Sequence, residues 1–147
     1  MPLKPKNSLS FFLPADGEKL ELPFAHSGIS AGFPSPAMDF MEQTLDVNAL
    51  LIKNPLATFY ARVSGDSMTN AGIQDQDLLV VDRSVEAEDG AIAVCFLDGE
   101  FTLKRLRITQ GAVLLVPENE AYPPIQVTDE NQFQVWGIVT YVIKKVG

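Results

Sequence analysis

The run Ala91-Ile92-Ala93-Val94-Cys95-Phe96-Leu97-Asp98-Gly99-Glu100-Phe101-Thr102-Leu103-Lys104-Arg105-Leu106-Arg107-Ile108 decides the fold class of this chain. Its first seven residues are small, β-branched or aromatic and read as a strand. Asp98-Gly99 then supplies the two residues that most readily take the positive φ of a tight hairpin. The strand after it, Glu100 to Ile108, is therefore expected to run back antiparallel. Working outward, Thr58-Phe59-Tyr60-Ala61-Arg62-Val63 and Leu78-Leu79-Val80-Val81 read as strands upstream, and Ala112–Val116 and Gln134–Ile143 downstream. So many strands separated by short turns predict a mostly β protein, a small antiparallel sheet or partly closed β-barrel.

The N-terminal third reads differently. Prolines 2, 5, 14, 23 and 34 punctuate residues 1–34, and each pushes its predecessor toward extended backbone. No helical or strand period runs there for more than a few residues, so a flexible arm is expected. The folded body, residues 35–147, begins with Ser35-Pro36 as an N-cap and first helical position. Met38, Met41 and Leu45 then recur on one helical face. Asp46 caps a second short helix carrying Leu50, Leu51 and Ile52, which Asn54-Pro55 stops. No internal repeat or low-complexity tract interrupts the chain.

The 147 residues suit one domain, and 46% hydrophobic with 20% charged residues is the composition of a folded protein. Eleven Lys and Arg against nineteen Asp and Glu leave a formal charge of −8. Nucleic-acid binding needs clustered cations, so it is not expected to be the main business of the chain. Cys95 is the single cysteine, which rules out an intrachain disulfide and a cysteine zinc site and makes a reducing, cytoplasmic setting the default. No stretch approaches the roughly 18–20 apolar residues of a membrane span. Leu9, Phe11, Phe12 and Leu13 fall short of the about 7–15 apolar residues at the centre of a secretory signal.

Ser64-Gly65-Asp66-Ser67-Met68 follows the first strong strand directly, and Met68 to Ile73 reads as a turn or short helix. A serine at such a junction projects its hydroxyl into the open while neighbouring amides point to the same space. Acyl transfer needs that geometry for its nucleophile and oxyanion hole. A turn or N-cap serine reads the same way in the pentapeptide, so both readings of Ser67 stand. His26, the single histidine, lies in the arm without a pattern around it and is not expected to be a catalytic base.

Strand parity singles out a lysine instead. Lys104 shares its face with Thr102, Leu106 and Ile108, whereas Arg105 and Arg107 share the other and can reach solvent. Apolar surroundings disfavour an ammonium and lower its pKa. Bringing Lys104 from about 10.4 to near neutrality costs about 4 kcal/mol. A lysine that snorkels its head to water over an apolar stem fits the same parity, so that reading stands too. Asp66, Asp75, Asp77 and Asp82 fit no calcium loop and are explained mostly as turn residues, and no phosphate-binding pattern occurs. Neither a metal nor a cofactor is expected.

Together, Gly65-Asp66-Ser67-Met68, Asp77-Leu78-Leu79-Val80-Val81-Asp82 and Gly99-Glu100-Phe101-Thr102-Leu103-Lys104-Arg105-Leu106 resemble the LexA/UmuD family of self-cleaving proteins. The resemblance extends upstream to Ala31-Gly32-Phe33-Pro34-Ser35-Pro36-Ala37 and downstream to Trp136-Gly137-Ile138-Val139, covering roughly residues 29–143. It implies a fold of the LexA C-terminal, signal-peptidase-like type with short N-terminal helices. It also implies a Ser–Lys dyad, with Ser67 as nucleophile, Lys104 as neutral general base and the backbone amides of Asp66 and Ser67 as oxyanion hole. The scissile bond would be Ala31–Gly32 in the arm. Many members carry Cys before that Gly; Ala31 is similarly small. Pro34 and Pro36 discourage helix beside the bond, which suits a peptide docked as an extended strand.

The resemblance further implies an SOS-response endopeptidase stimulated by the RecA–single-stranded-DNA filament. Its shortened form, residues 32–147, would join a UmuC-type translesion polymerase as a homodimer. An arm with five prolines is not expected to form a helix-turn-helix, so direct operator binding is not expected. Two rivals remain at this stage. One is a non-enzymatic polymerase-binding or regulatory module on the same fold; the other, a signal peptidase, would need a membrane anchor.

Overall fold

The computed structural model describes residues 7–15, 21–25 and 41–147. These contain the strands β1 (Ser8–Phe12), β2 (Glu21–Ala25), β3 (Met41–Asp46), β4 (Thr58–Ser64), β5 (Leu78–Asp82), β6 (Ile92–Leu97), β7 (Glu100–Thr109), β8 (Ala112–Val116), β9 (Ile125–Val127) and β10 (Phe133–Ile143). The helix α1 (Val47–Leu51) and two single turns of 3-10 helix, Pro55–Ala57 and Thr69–Ala71, complete the described elements. The chain divides into two compact units. The smaller, within residues 15–53, has β2 paired antiparallel to β3, followed by α1. The larger combines residues 7–14 with 54–147.

The larger unit is one eight-stranded antiparallel sheet in the order β1-β4-β5-β10-β6-β7-β8-β9, an open, curled half-barrel. The expected mostly β class is therefore what the chain adopts, and the six strands read from sequence are all present. Asp98 and Gly99 take φ of 48° and 88° at the β6–β7 turn, the doubly left-handed conformation for which that dipeptide is suited. β10, the last strand, lies between β5 and β6. Its register shifts between Val135 and Gly137 and again between Val139 and Tyr141. Such bulges bend a strand and sharpen its twist, which helps the sheet curl.

Alternation along the strands builds two cores. Phe59, Ala61 and Val63 of β4, Leu79 and Val81 of β5, Val94 and Leu103 pack with Met68 and Ile73. Ala93, Cys95, Leu106, Leu115 and Ile138 form the second. β6 thus buries both faces, Val94 in one core and Ala93 and Cys95 in the other, which explains its unbroken apolar sequence.

Two expectations need correction. The spacing of Met41 and Leu45 predicts a helical face, yet Met41–Asp46 is strand β3. Pairing with β2 gives its backbone partners along one edge and overrides a weak helical period, while Met38 and the Ser35-Pro36 cap lie outside the described residues. The second short helix does form. Asp46 caps it, accepting from the Ala49 N–H at 3.3 Å, and α1 ends before Asn54-Pro55.

The other correction concerns the arm, where no sustained period was expected. Ser8–Phe12 is a strand that pairs along β4 from Ser8↔Ser64 to Phe12↔Tyr60. It is an edge strand, so one side of its backbone needs no protein partner and Pro14 can follow at once. Phe11 anchors it, meeting Phe59 of β4 and Phe101 of β7 edge to face at 5.6 and 4.9 Å between ring centres. Curling of the sheet therefore brings β7 beside β1 as well as β4.

Candidate active site

Ser67 sits in the loop between the end of β4 and the 3-10 turn Thr69–Ala71. The loop turns at Gly65, whose φ of 112° is closed to ordinary side chains. Gly65 N–H donates to Asp75 Oδ1 at 2.8 Å, so this aspartate is a turn residue as its sequence context indicated. Gln74 N–H binds Asp77, and Ser84 N–H and Asn54 bind Asp82 in the same manner.

A brace from residues 118–122 holds the loop from the other side. Asn119 Nδ2 donates to the Asp66 carbonyl at 2.8 Å, Tyr122 donates its hydroxyl to Asp66 Oδ1 at 2.5 Å, and Asn70 N–H donates to the Glu118 carbonyl at 2.7 Å. Glu118 in turn pairs with Arg105 on β7, one residue from Lys104. Arg105 is accordingly half-buried rather than free in solvent, while Arg107 is exposed. Asp66 also has a side-chain role beyond the backbone role the resemblance implied.

None of the brace's hydrogen bonds goes to Ser67. Ser67 is buried, and neither its hydroxyl nor its N–H has a hydrogen-bond partner among the described residues. The adjacent Asp66 N–H does have one: it donates to Asn7 Oδ1 at 2.8 Å. Ser67 lines a cavity of ≈ 20 Å³ together with Asn7, Ser8, Phe101, Thr102 and Leu103.

Lys104 lies on β7 with Leu106, as parity required, and is only 8% exposed. It does not snorkel. Its Nζ donates to Thr102 Oγ1 at 2.5 Å and to the Leu103 carbonyl at 3.1 Å, and no carboxylate pairs with it among the described residues. Burial pushes its pKa below the usual lysine range, with the nearby Cys95 sulfur as the smaller opposing influence. The same burial pushes the Cys95 thiol up to about 12, against the pull of Lys104. Ser67 and Lys104 make no direct hydrogen bond; Thr102, which binds the amine, lines the Ser67 cavity. His26, Ala31 and Gly32 lie outside the described residues.

Sequence reasoning missed Asn7, Thr102, Asn119 and Tyr122. Only Thr102 carried a signal, since it stands two residues before Lys104 on the same strand face. Among the described residues no group of three or more His, Cys, Asp or Glu could hold a metal ion, and no helix is long and apolar enough to cross a membrane.

Similarity to known proteins places the chain in a family. The chain belongs to the Peptidase S24-like family, whose pattern matches residues 23–140, and within it to the UmuD type, peptidase-family proteins of SOS mutagenesis. It is similar to Protein SamA of Salmonella typhimurium, 44% identical over 115 residues that make up 78% of this chain and 79% of that protein. It is likewise similar to two Escherichia coli proteins. Protein ImpA is 40% identical over 132 residues, 90% of each chain. Protein MucA is 41% identical over 121 residues, 82% of each.

Proposed function

We propose that this chain is a self-cleaving serine endopeptidase that cuts its own Ala31–Gly32 bond. In this reading the Ser67 hydroxyl attacks the Ala31 carbonyl carbon and its proton passes to the neutral amine of Lys104. The Asp66 and Ser67 N–H groups receive the negative oxygen. Lys104 then returns the proton to the departing Gly32 amine, and water releases the acyl group from Ser67 by the reverse steps. The observation that carries the reading is a buried lysine bound to a threonine that lines the cavity of Ser67, where among the described residues no carboxylate pairs with the amine and no group engages the serine hydroxyl. A lysine needed only for structure would gain from an ion pair; one that must give up its proton would not.

Cleavage within one chain benefits from a high effective concentration of the segment to be cut, and a partner that favours the docked pose accelerates it. The RecA–single-stranded-DNA filament is that partner in this reading. The shortened form acts in the cytoplasm as a homodimeric accessory subunit of a UmuC-type error-prone polymerase. The acidic surface suits protein partners better than direct binding to DNA.

The test is incubation of the purified chain over a pH series, with and without filament, followed by mass spectrometry. A fragment beginning at Gly32 is expected, and Ser67→Ala and Lys104→Ala should abolish it while circular dichroism stays unchanged. No such fragment under any condition overturns the reading. The rival non-enzymatic module is then tested in cells, where Ser67→Ala should support damage tolerance as well as the wild type.

A further inference from the structure

The space beside Ser67 is already taken by the chain itself. β1 runs antiparallel along the free edge of β4, starting at Ser64, three residues before Ser67. Its Phe11 ring touches β7 at Phe101, so the strand lies beside β4, which leads into the Ser67 loop, and β7, which carries Lys104. Asn7, the residue before β1, then delivers an amide oxygen to the Asp66 N–H. The approach is so close that a Cβ on Gly65 would stand 1.9 Å from Asn7 Oδ1. With β1 seated, the remaining cavity of ≈ 20 Å³ has room for about one water and none for a peptide.

A protease receives its substrate as an extended strand whose reacting carbonyl oxygen enters the oxyanion hole. β1 and Asn7 meet both conditions without placing a peptide bond at the serine, because the oxygen at the Asp66 N–H belongs to a side-chain amide. We propose that residues 7–12 are a built-in competitor of the cleavage segment, with β1 filling the peptide track and the Asn7 amide oxygen filling half of the oxyanion hole. The proposal rests on the reading of Ser67 and Asp66 given above and adds a control on the same site. The cleavage segment gains access only in the fraction of molecules in which β1 has lifted away, and the rate falls in proportion to that fraction. β1 is suited to such exchange, since it is an edge strand of five residues with Phe11 and Phe12 partly open to solvent and Leu13 exposed just beyond it.

The test uses the full chain, Asn7→Ala and Phe11→Ala, with two measurements on each: the rate of appearance of the Gly32 fragment and amide hydrogen exchange at Asp66. Losing the Asn7 oxygen should raise both rates about fivefold, the net worth of one hydrogen bond. Losing the Phe11 anchor should raise both about tenfold, and an excess of free peptide of sequence 7–14 should return that variant toward the wild-type rate. Faster exchange in both variants without cleavage in any protein would show that β1 covers the Asp66 amide but would overturn Ser67 as nucleophile, and the competitor with it. Two further results overturn the proposal. One is Asp66 exchange that is unchanged in both variants, which shows that β1 does not cover that amide. The other is slower cleavage in both variants, which makes β1 a support for the substrate instead of a rival.

Discussion

Lys104 Nζ donates to the hydroxyl oxygen of Thr102, two residues back on the same strand, at 2.5 Å, and Thr102 itself lines the cavity beside Ser67. The cleavage rate should consequently depend on Thr102. Thr102→Val removes the acceptor and leaves the amine free to rotate. We expect about a fivefold lower plateau rate, the worth of one hydrogen bond, in the pH–rate profile. Thr102→Ser, which keeps the oxygen, should restore most of it.

Burial lowers the folded-state pKa of Lys104, so the pH dependence of stability has a definite sign. Below the lowered value both states are protonated and the fold carries the full cost of an enclosed ammonium. Between that value and the unfolded value of about 10.4 the unfolded chain binds the additional proton, so stability rises with pH. Urea midpoints measured from neutral to alkaline pH should therefore increase, relative to Lys104→Met, until the unfolded lysine also titrates. Cleavage should rise over the lower part of the same range as the neutral amine accumulates.

Cys95 is fully buried and its thiol is pushed up to about 12. Only the thiolate reacts readily with disulfide reagents. The folded protein should stay unlabelled by an aromatic disulfide at pH 8, and one equivalent should react on unfolding in guanidinium.

Gly137 of β10 lies against β5, where a Cβ would come within 2.6 Å of Val81 Cγ1. Gly137→Ala should lower stability by about 1–3 kcal/mol through overpacking. Denaturant titration of the double variant with Val81→Ala should show a cost smaller than the sum of the two single changes, because the second substitution removes the clashing methyl.

Gly65→Ala combines a φ of 112° with a Cβ 1.9 Å from Asn7 Oδ1. A cost of about 1–3 kcal/mol is expected from the backbone conformation alone. Part of any further loss should disappear when Asn7→Ala is added, which denaturant midpoints of the four-protein cycle will measure.

The sheet was legible in the sequence wherever alternation and turn chemistry agreed, as at Asp98-Gly99. Parity alone placed Lys104 among apolar neighbours and Arg107 in solvent. β1 is not legible although Leu9 and Phe11 alternate with Ser8 and Ser10, since five residues among prolines are too few to stand as a period. β9 is shorter still and follows Pro123-Pro124. β3 was masked by a competing helical spacing. The partners of the serine loop were illegible for a different reason: Asn7 and Tyr122 stand 59 and 56 residues from Asp66, and nothing local in either neighbourhood announces the other.

The central position of β10 has a bearing on how the protein is made. The strand that joins β5 to β6 is synthesised after β1 to β9, so a chain still emerging from the ribosome carries two half-sheets whose inner edges are both bare. Folding of the larger unit can finish only after residues 133–143 have been released, and a transcript truncated shortly before them would yield a product prone to clump.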